Sequence, residues 1–242
     1  MIQKIVILTI LLLGNNVFAQ NGKDCVNEVV LLNELNDHKN DTALKDKSVR
    51  LSYSVRVTDW EDETTISNVK VYKKNYLMHF FSEQVNVYQD DREVLLILPL
   101  QKVALLNNND KRLTNVKMTD AFFEMRNSFL DSCEVISCST TDKNNKVLIL
   151  KVIAKKVRDD IKITKITYEY NMEQKKIISV KLDYQNDYKL KQMLIVYKEF
   201  MVGAEYSFYP AKSYILDKKG NLLPKYKTYE FVDNRDKKSN SK

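Results

Sequence analysis

Apolar and polar residues alternate at period two through most of this chain. The run Val49-Arg-Leu51-Ser-Tyr53-Ser-Val55-Arg-Val57 is the clearest case, with apolar odd positions and polar even ones. Such alternation sets one face against a core and the other toward water, which predicts a half-buried strand. Comparable runs predict strands at Ile66–Lys73, Asn75–Phe81, Val85–Tyr88, Glu93–Leu98, Lys102–Leu106, Lys146–Ala154, Ile161–Tyr170, Lys176–Tyr184, Tyr188–Phe200, Ala211–Leu216 and Lys225–Val232. Short polar connections between them, such as Thr58–Glu63, Gln89–Arg92, Asn171–Lys175 and Asp217–Asn221, predict hairpins joining antiparallel neighbours.

Two segments break this rhythm with helical spacing. Asp24 is placed to cap a helix running to about Asp37, with Glu28 in its first turn and His38-Lys39 past its end, charges that suit the helix dipole. A second helix is predicted from a Thr119 cap to Leu130, where Phe122, Phe123, Met125, Phe129 and Leu130 fall in one wide apolar arc. Arg126 sits inside that arc, either bending its stem out to water or a carboxylate, or holding an anionic headgroup at the rim of an apolar cavity. The strand Glu93–Leu98 is apolar on both faces, as a central strand is, or as one whose second face lines a ligand cavity. Leu96, Leu98, Phe122, Met125, Arg126 and Phe129 are therefore the candidate ligand-binding residues. The fold class expected is α+β: one large curved antiparallel sheet with two principal helices on its concave side, in a single domain over residues 20–232, followed by a polar tail over 233–242.

The start of the chain changes the address. Lys4, the apolar run Ile5–Leu13 and Val17-Phe18-Ala19 have the order of a cleavable secretory leader ending at residue 19. The apolar run is too short for the roughly 20 residues that span hydrocarbon. Cys25 lies too far past Ala19 to be a lipoprotein's acylated cysteine, so a periplasmic protein without a lipid anchor is expected. The chain holds three cysteines, an odd number for an oxidising compartment. Cys133 and Cys138 are close in sequence and are the expected bridge, with Cys25 left free.

Composition removes several function classes. A chain that is 44% hydrophobic and 29% charged is neither disordered nor fibrous. No Gly-x-Ser-x-Gly, His-Glu-x-x-His or phosphate-cradling glycine loop occurs, and with two histidines a catalytic base is hard to assemble. No enzyme, no cofactor and no metal site is expected. The acidic turn Asp59-Trp60-Glu61-Asp62-Glu63 lacks the ligand spacing of a calcium loop. The net charge of +7 comes from intermixed Lys and Glu, which argues against a nucleic-acid partner and leaves a peripheral attraction to anionic headgroups open.

Leu51-Ser-Tyr53-Ser-Val55, then Ile66-Ser-Asn-Val69-Lys-Val71-Tyr72-Lys73, then Val85-Asn-Val87-Tyr88-Gln-Asp90-Asp91-Arg92-Glu-Val94-Leu-Leu-Ile97-Leu-Pro99-Leu-Gln-Lys102-Val103 resemble the periplasmic outer-membrane lipoprotein carriers (LolA/LolB-like). The resemblance covers roughly Asp24 to Leu106. It implies an incomplete antiparallel barrel wrapped around helices, whose apolar cavity takes acyl chains of a lipid or lipoprotein without covalent chemistry. Two function classes follow: an exported binder of a hydrophobic ligand, and an envelope module that meets a protein partner and whose interior is a packed core.

Overall fold

The computed structural model describes residues 22–33, 47–109, 129–141 and 144–235. They carry a single open sheet of 12 strands in the order β12-β6-β5-β4-β3-β2-β1-β11-β10-β9-β8-β7. The strands are β1 Val49–Asp59, β2 Thr64–Lys74, β3 Leu77–Phe81, β4 Asn86–Gln89, β5 Glu93–Leu98, β6 Val103–Asn108, β7 Cys133–Thr140, β8 Lys146–Val152, β9 Ile163–Asn171, β10 Lys176–Tyr184, β11 Leu190–Val202 and β12 Glu230–Asp233. Among the described residues this large open sheet with few helices is the fold class expected. The chain clusters into two compact units, one of Met1–Asn40, Arg56–Thr65 and Phe123–Val196, the other of Asp41–Val55, Ile66–Phe122 and Tyr197–Lys242.

In the first unit, β7 to β10 pair antiparallel in sequence order. Their registers align Leu148 with Tyr168 and Val180, and Leu150 with Ile166 and Leu182. Leu148, Leu150, Val152, Ile166, Tyr168, Tyr170 and Val180 are buried, whereas the other face carries Glu169, Thr167, Lys181 and Asp183. Helix α1, residues 22–33, presents Gly22, Cys25, Val29 and Leu32 at helical spacing, and all four are buried. Gly22 allows the close approach to β7, because a Cβ there would stand 3.0 Å from Cγ1 of Val135. Since Gly22 is already helical, Asp24 lies within the first turn and does not cap the helix as expected.

The bridge differs from the one expected. Cys25 of α1 is bonded to Cys138 of β7, and Cys133 is the free thiol. Cys133 and Cys138 lie on the same strand. An extended strand advances about 3.3 Å per residue, so their Cα atoms are far beyond the roughly 4.4–6.8 Å that a disulfide spans. Strand β7 itself was not legible in the sequence, because a bulge between Val135 and Ser137 shifts the alternation by one position. A short helix α2, Lys155–Ile161, also stands where two predicted strands nearly met. It buries no residue and ends on Lys162 in the left-handed region (φ 61).

The second unit contains β3, β4, β5, β6 and β12, with most of β2. The antiparallel pairs β2–β3, β3–β4, β4–β5 and β5–β6 are hairpins. β12 instead runs parallel to β6, so the sheet is not antiparallel throughout. The predicted strand Ala211–Leu216 is a 3-10 turn, Ala211–Tyr214, and of Lys225–Val232 only the last residues are strand. Proline starts both replacements: Pro210 precedes the first turn and Pro224 opens the second. The tail begins later than residue 233, since Asn234 donates its backbone N–H to Leu106 at 2.8 Å and Arg235 pairs with Glu93 at 2.5 Å. The predicted leader, the end of the first helix and most of the second helix lie outside the described residues.

Candidate functional site

Strands β3 to β6 of the second unit carry apolar residues on both faces, and the two faces are used differently. On one face Tyr88, Leu95, Ile97, Ala104 and Leu106 form a core with Ala211, Ile215 and Tyr226 of the C-terminal segment. Leu95, Ala104, Leu106, Ala211 and Ile215 are all 0% exposed. The chain therefore supplies its own cover for this face.

The opposite face is defined by register. Val71 pairs with Phe80, Phe80 with Val87, Val87 with Leu96, Leu96 with Leu105, and Leu105 with Val232. Cross-strand partners point to the same side, so these side chains form one apolar row across the strands. Met78 and Val94 extend it toward one end and Leu98 and Val103 toward the other, and every one of these residues is half-buried. The row can hold a flexible hydrocarbon by contact alone, since the charged side chains on this face, Lys73 opposite Met78 and Glu230 opposite Val103, stand exposed at its ends.

The self-covered face is anchored by two polar groups. Asp90, 7% exposed, accepts the N–H groups of Arg92 (2.7 Å) and Glu93 (2.8 Å) on Oδ1 and that of Ala211 (2.7 Å) on Oδ2. This ties the β4–β5 turn to the start of the 3-10 turn. His79 on β3, 1% exposed, is in hydrogen-bond contact through Nδ1 with the Tyr206 hydroxyl at 2.8 Å. Phe81, Tyr88, Tyr206, Phe208 and Tyr214 surround the imidazole with ring centroids 4.9–6.2 Å away. Burial pushes its pKa down to about 4, so the ring is neutral near pH 7, and burial pushes the Tyr206 phenol up to about 12. A half-open cleft of about 350 Å³ lies alongside, lined by Leu77, the turn Asp90–Glu93, Phe208, Tyr209, Pro210 and Lys212.

In the first unit, polar groups join α1 to the sheet. Glu28 accepts Lys146 Nζ at 2.6 and 2.8 Å and the Tyr170 hydroxyl at 2.8 Å. Glu28, Lys146, Ser139, Thr140 and the Cys25–Cys138 bridge line a shallow cleft of about 320 Å³. Asp24 lines it too, and Glu28 and Lys146 are paired with each other, which suits a fastening better than an acid–base site.

Of the sequence-derived candidates, Leu96 and Leu98 lie together on the half-buried row. Phe129 is half-buried at the end of a helical turn, in the first unit. Phe122, Met125 and Arg126 lie outside the described residues. Sequence reasoning missed Phe80, Val87 and Leu105, whose signal was the registered alternation of neighbouring hairpins. It also missed the His79 nest, which the aromatic content of Tyr206–Tyr214 could have flagged.

No protein family and no curated protein matches the chain. Solved structures similar in fold include an uncharacterized conserved protein from Thermus thermophilus, 8% identical, with TM-score 0.40 over 88% of this chain and 99% of that one. They also include a LolA superfamily protein from Nitrosomonas europaea, 10% identical, with TM-score 0.31 over 76% and 94% of the two chains. A third is an outer membrane lipoprotein-sorting protein domain from Vibrio parahaemolyticus, 8% identical, with TM-score 0.32 over 74% and 93%. These are likenesses of fold and transfer no residue role.

Proposed function

We propose that this protein is a non-catalytic binder of a hydrophobic or acyl-chain ligand, lipid or lipoprotein, acting in the periplasm after export through the leader at residues 1–19. The observation that carries the reading is the row Val71, Phe80, Val87, Leu96, Leu105 and Val232. The other face of the same strands is sealed by the chain's own C-terminal segment. A sheet sealed on one side and still apolar on the second offers a surface on which a ligand's chain gains burial. The Cys25–Cys138 bridge is in keeping with an oxidising compartment.

The test compares stability and binding. Truncating a fully packed core leucine costs about 2–5 kcal/mol. On a face completed by ligand, Leu96→Ala costs the ligand-free protein about 1 kcal/mol, because the missing contacts were the ligand's. Denaturant unfolding of delipidated wild type and Leu96→Ala is measured beside titration with a fluorescent fatty acid. A small stability loss with weakened fatty-acid binding supports the reading. A large loss, with no binding by the wild type, rejects it in favour of an envelope interaction module with a packed core.

A further inference from the structure

We propose that residues 204–229 form an acid-releasable strap over one face of β3–β6, with His79 as its latch. The imidazole sits where the sheet and the strap meet. Phe81 and Tyr88 pack on it from the sheet, and Tyr206, Phe208 and Tyr214 from the strap. The strap thus supplies three of the five rings that keep His79 from water, and lifting it is what would expose the ring.

The nest accommodates a neutral imidazole and not an imidazolium. A neutral ring has one donor and one acceptor, whereas the protonated ring has two donors. Tyr206 meets Nδ1 at 2.8 Å, while Nε2 is buried with no hydrogen-bond partner. The titratable groups that face the ring are all phenols: Tyr72, its cross-strand partner on β2, Tyr88 on β4, and Tyr206 and Tyr214 on the strap. Phenols are neutral across the acid range and offer no countercharge. Of the carboxylates in the β4–β5 turn and the start of β5, Asp90 is engaged by three backbone N–H groups, Asp91 lies 3.8 Å from Arg92 and Glu93 is paired with Arg235, and none is in contact with the ring. Protons have a short route in, because Phe208 both touches His79 and lines the half-open cleft.

The sign follows from where the proton binds better. With the strap closed, burial holds His79 to a pKa of about 4, and with the strap lifted the ring returns toward 6.5. The open state binds more protons, so closure is at full strength above about pH 6.5, weakens as pH falls, and levels off below about pH 4. The opening equilibrium rises about tenfold at pH 5.5 and approaches a hundredfold at pH 4.5.

Hydrogen exchange of the full chain, resolved by peptide and corrected for intrinsic rates, reads this directly between pH 7.5 and 4.5. The wild type should lose protection in the strap with that slope while β8 and β9 stay protected. His79→Phe should flatten the slope, and Asp90→Asn should keep it. A His79→Phe strap as acid-sensitive as wild type overturns the proposal, as does a slope that disappears in Asp90→Asn instead. Should His79→Phe fail to fold, an NMR titration of the wild type decides, since the chain has two histidines. A His79 resonance titrating near 6.5 with the strap still protected overturns the proposal. One that stays neutral down to the pH at which strap protection is lost upholds it.

Discussion

The hydroxyl of Tyr170 on β9 donates a hydrogen bond of 2.8 Å to the Glu28 carboxylate on α1. With the Lys146 ammonium on the same carboxylate, this makes a polar tie inside an otherwise apolar contact. Tyr170 is 0% exposed, and its phenol is pushed up first by burial and then by the neighbouring Glu28. Its hydroxyl therefore stays a donor at any pH the protein meets.

Tyr170→Phe should lower unfolding free energy by roughly 1.5–3 kcal/mol, the range for a hydrogen bond to a charged acceptor. Lys146→Met should cost less, because that pair is partly open to water. Urea denaturation of both variants at one salt concentration ranks them. Equal effects, or a neutral Tyr170→Phe, would show that the apolar stripe of α1 alone seats the helix.

The disulfide should hold α1 more strongly than the polar tie. It joins residues 113 apart in sequence, and closing so long a loop removes much freedom from the unfolded chain. Cys25→Ser or Cys138→Ser should therefore cost roughly 2–5 kcal/mol. Non-reducing peptide mapping should find Cys25 linked to Cys138. A Cys133–Cys138 peptide would refute the assignment.

Cys133 should be a sluggish thiol. Burial pushes its pKa up to about 11, and its Sγ donates to the Phe129 carbonyl at 3.4 Å. Since only the thiolate reacts, alkylation at pH 8 should run roughly a hundredfold slower than for an exposed cysteine and quicken as pH rises toward 11. Rapid labelling of the native protein at pH 8 would contradict this burial.

Legibility in the sequence tracked the regularity of alternation. β1 and the later part of β10 read almost at their true bounds because apolar and polar residues alternate in their sequences, and β5 because it is an apolar run bounded by a polar turn and Pro99. β7 was hidden by its bulge. Ala211–Leu216 imitated a strand because it is a short, largely apolar run that includes the strand-favouring Tyr214 and Ile215. What buries Ala211 and Ile215, however, is a 3-10 turn started by Pro210 and fastened by Asp90. The choice of cysteine partner was not readable at all, since it depends on which strand α1 meets. Leu96 and Leu98 could be found because β5 carries apolar residues on both faces. Their neighbours Phe80, Val87 and Leu105 needed the hairpin registers.

Asp90 is the position at which a single atom change should report on the C-terminal segment's attachment. In Asp90→Asn the amide oxygen can still accept the Arg92 and Glu93 N–H groups, but the NH2 group then faces the Ala211 N–H, donor against donor. In Asp90→Ala all three N–H groups lose their acceptor. Each buried orphan costs about 1–3 kcal/mol, with water entering the adjacent cleft to offset part of it. The expected order of stability is wild type, then Asp90→Asn, then Asp90→Ala, with the last lower by roughly 2–4 kcal/mol. The loss should be concentrated in the second unit, so limited proteolysis should cut Asp90→Ala within residues 204–229 before it cuts β8 or β9. Uniform cleavage of both units would instead mean that Asp90 supports the whole chain's folding and not the attachment of this segment.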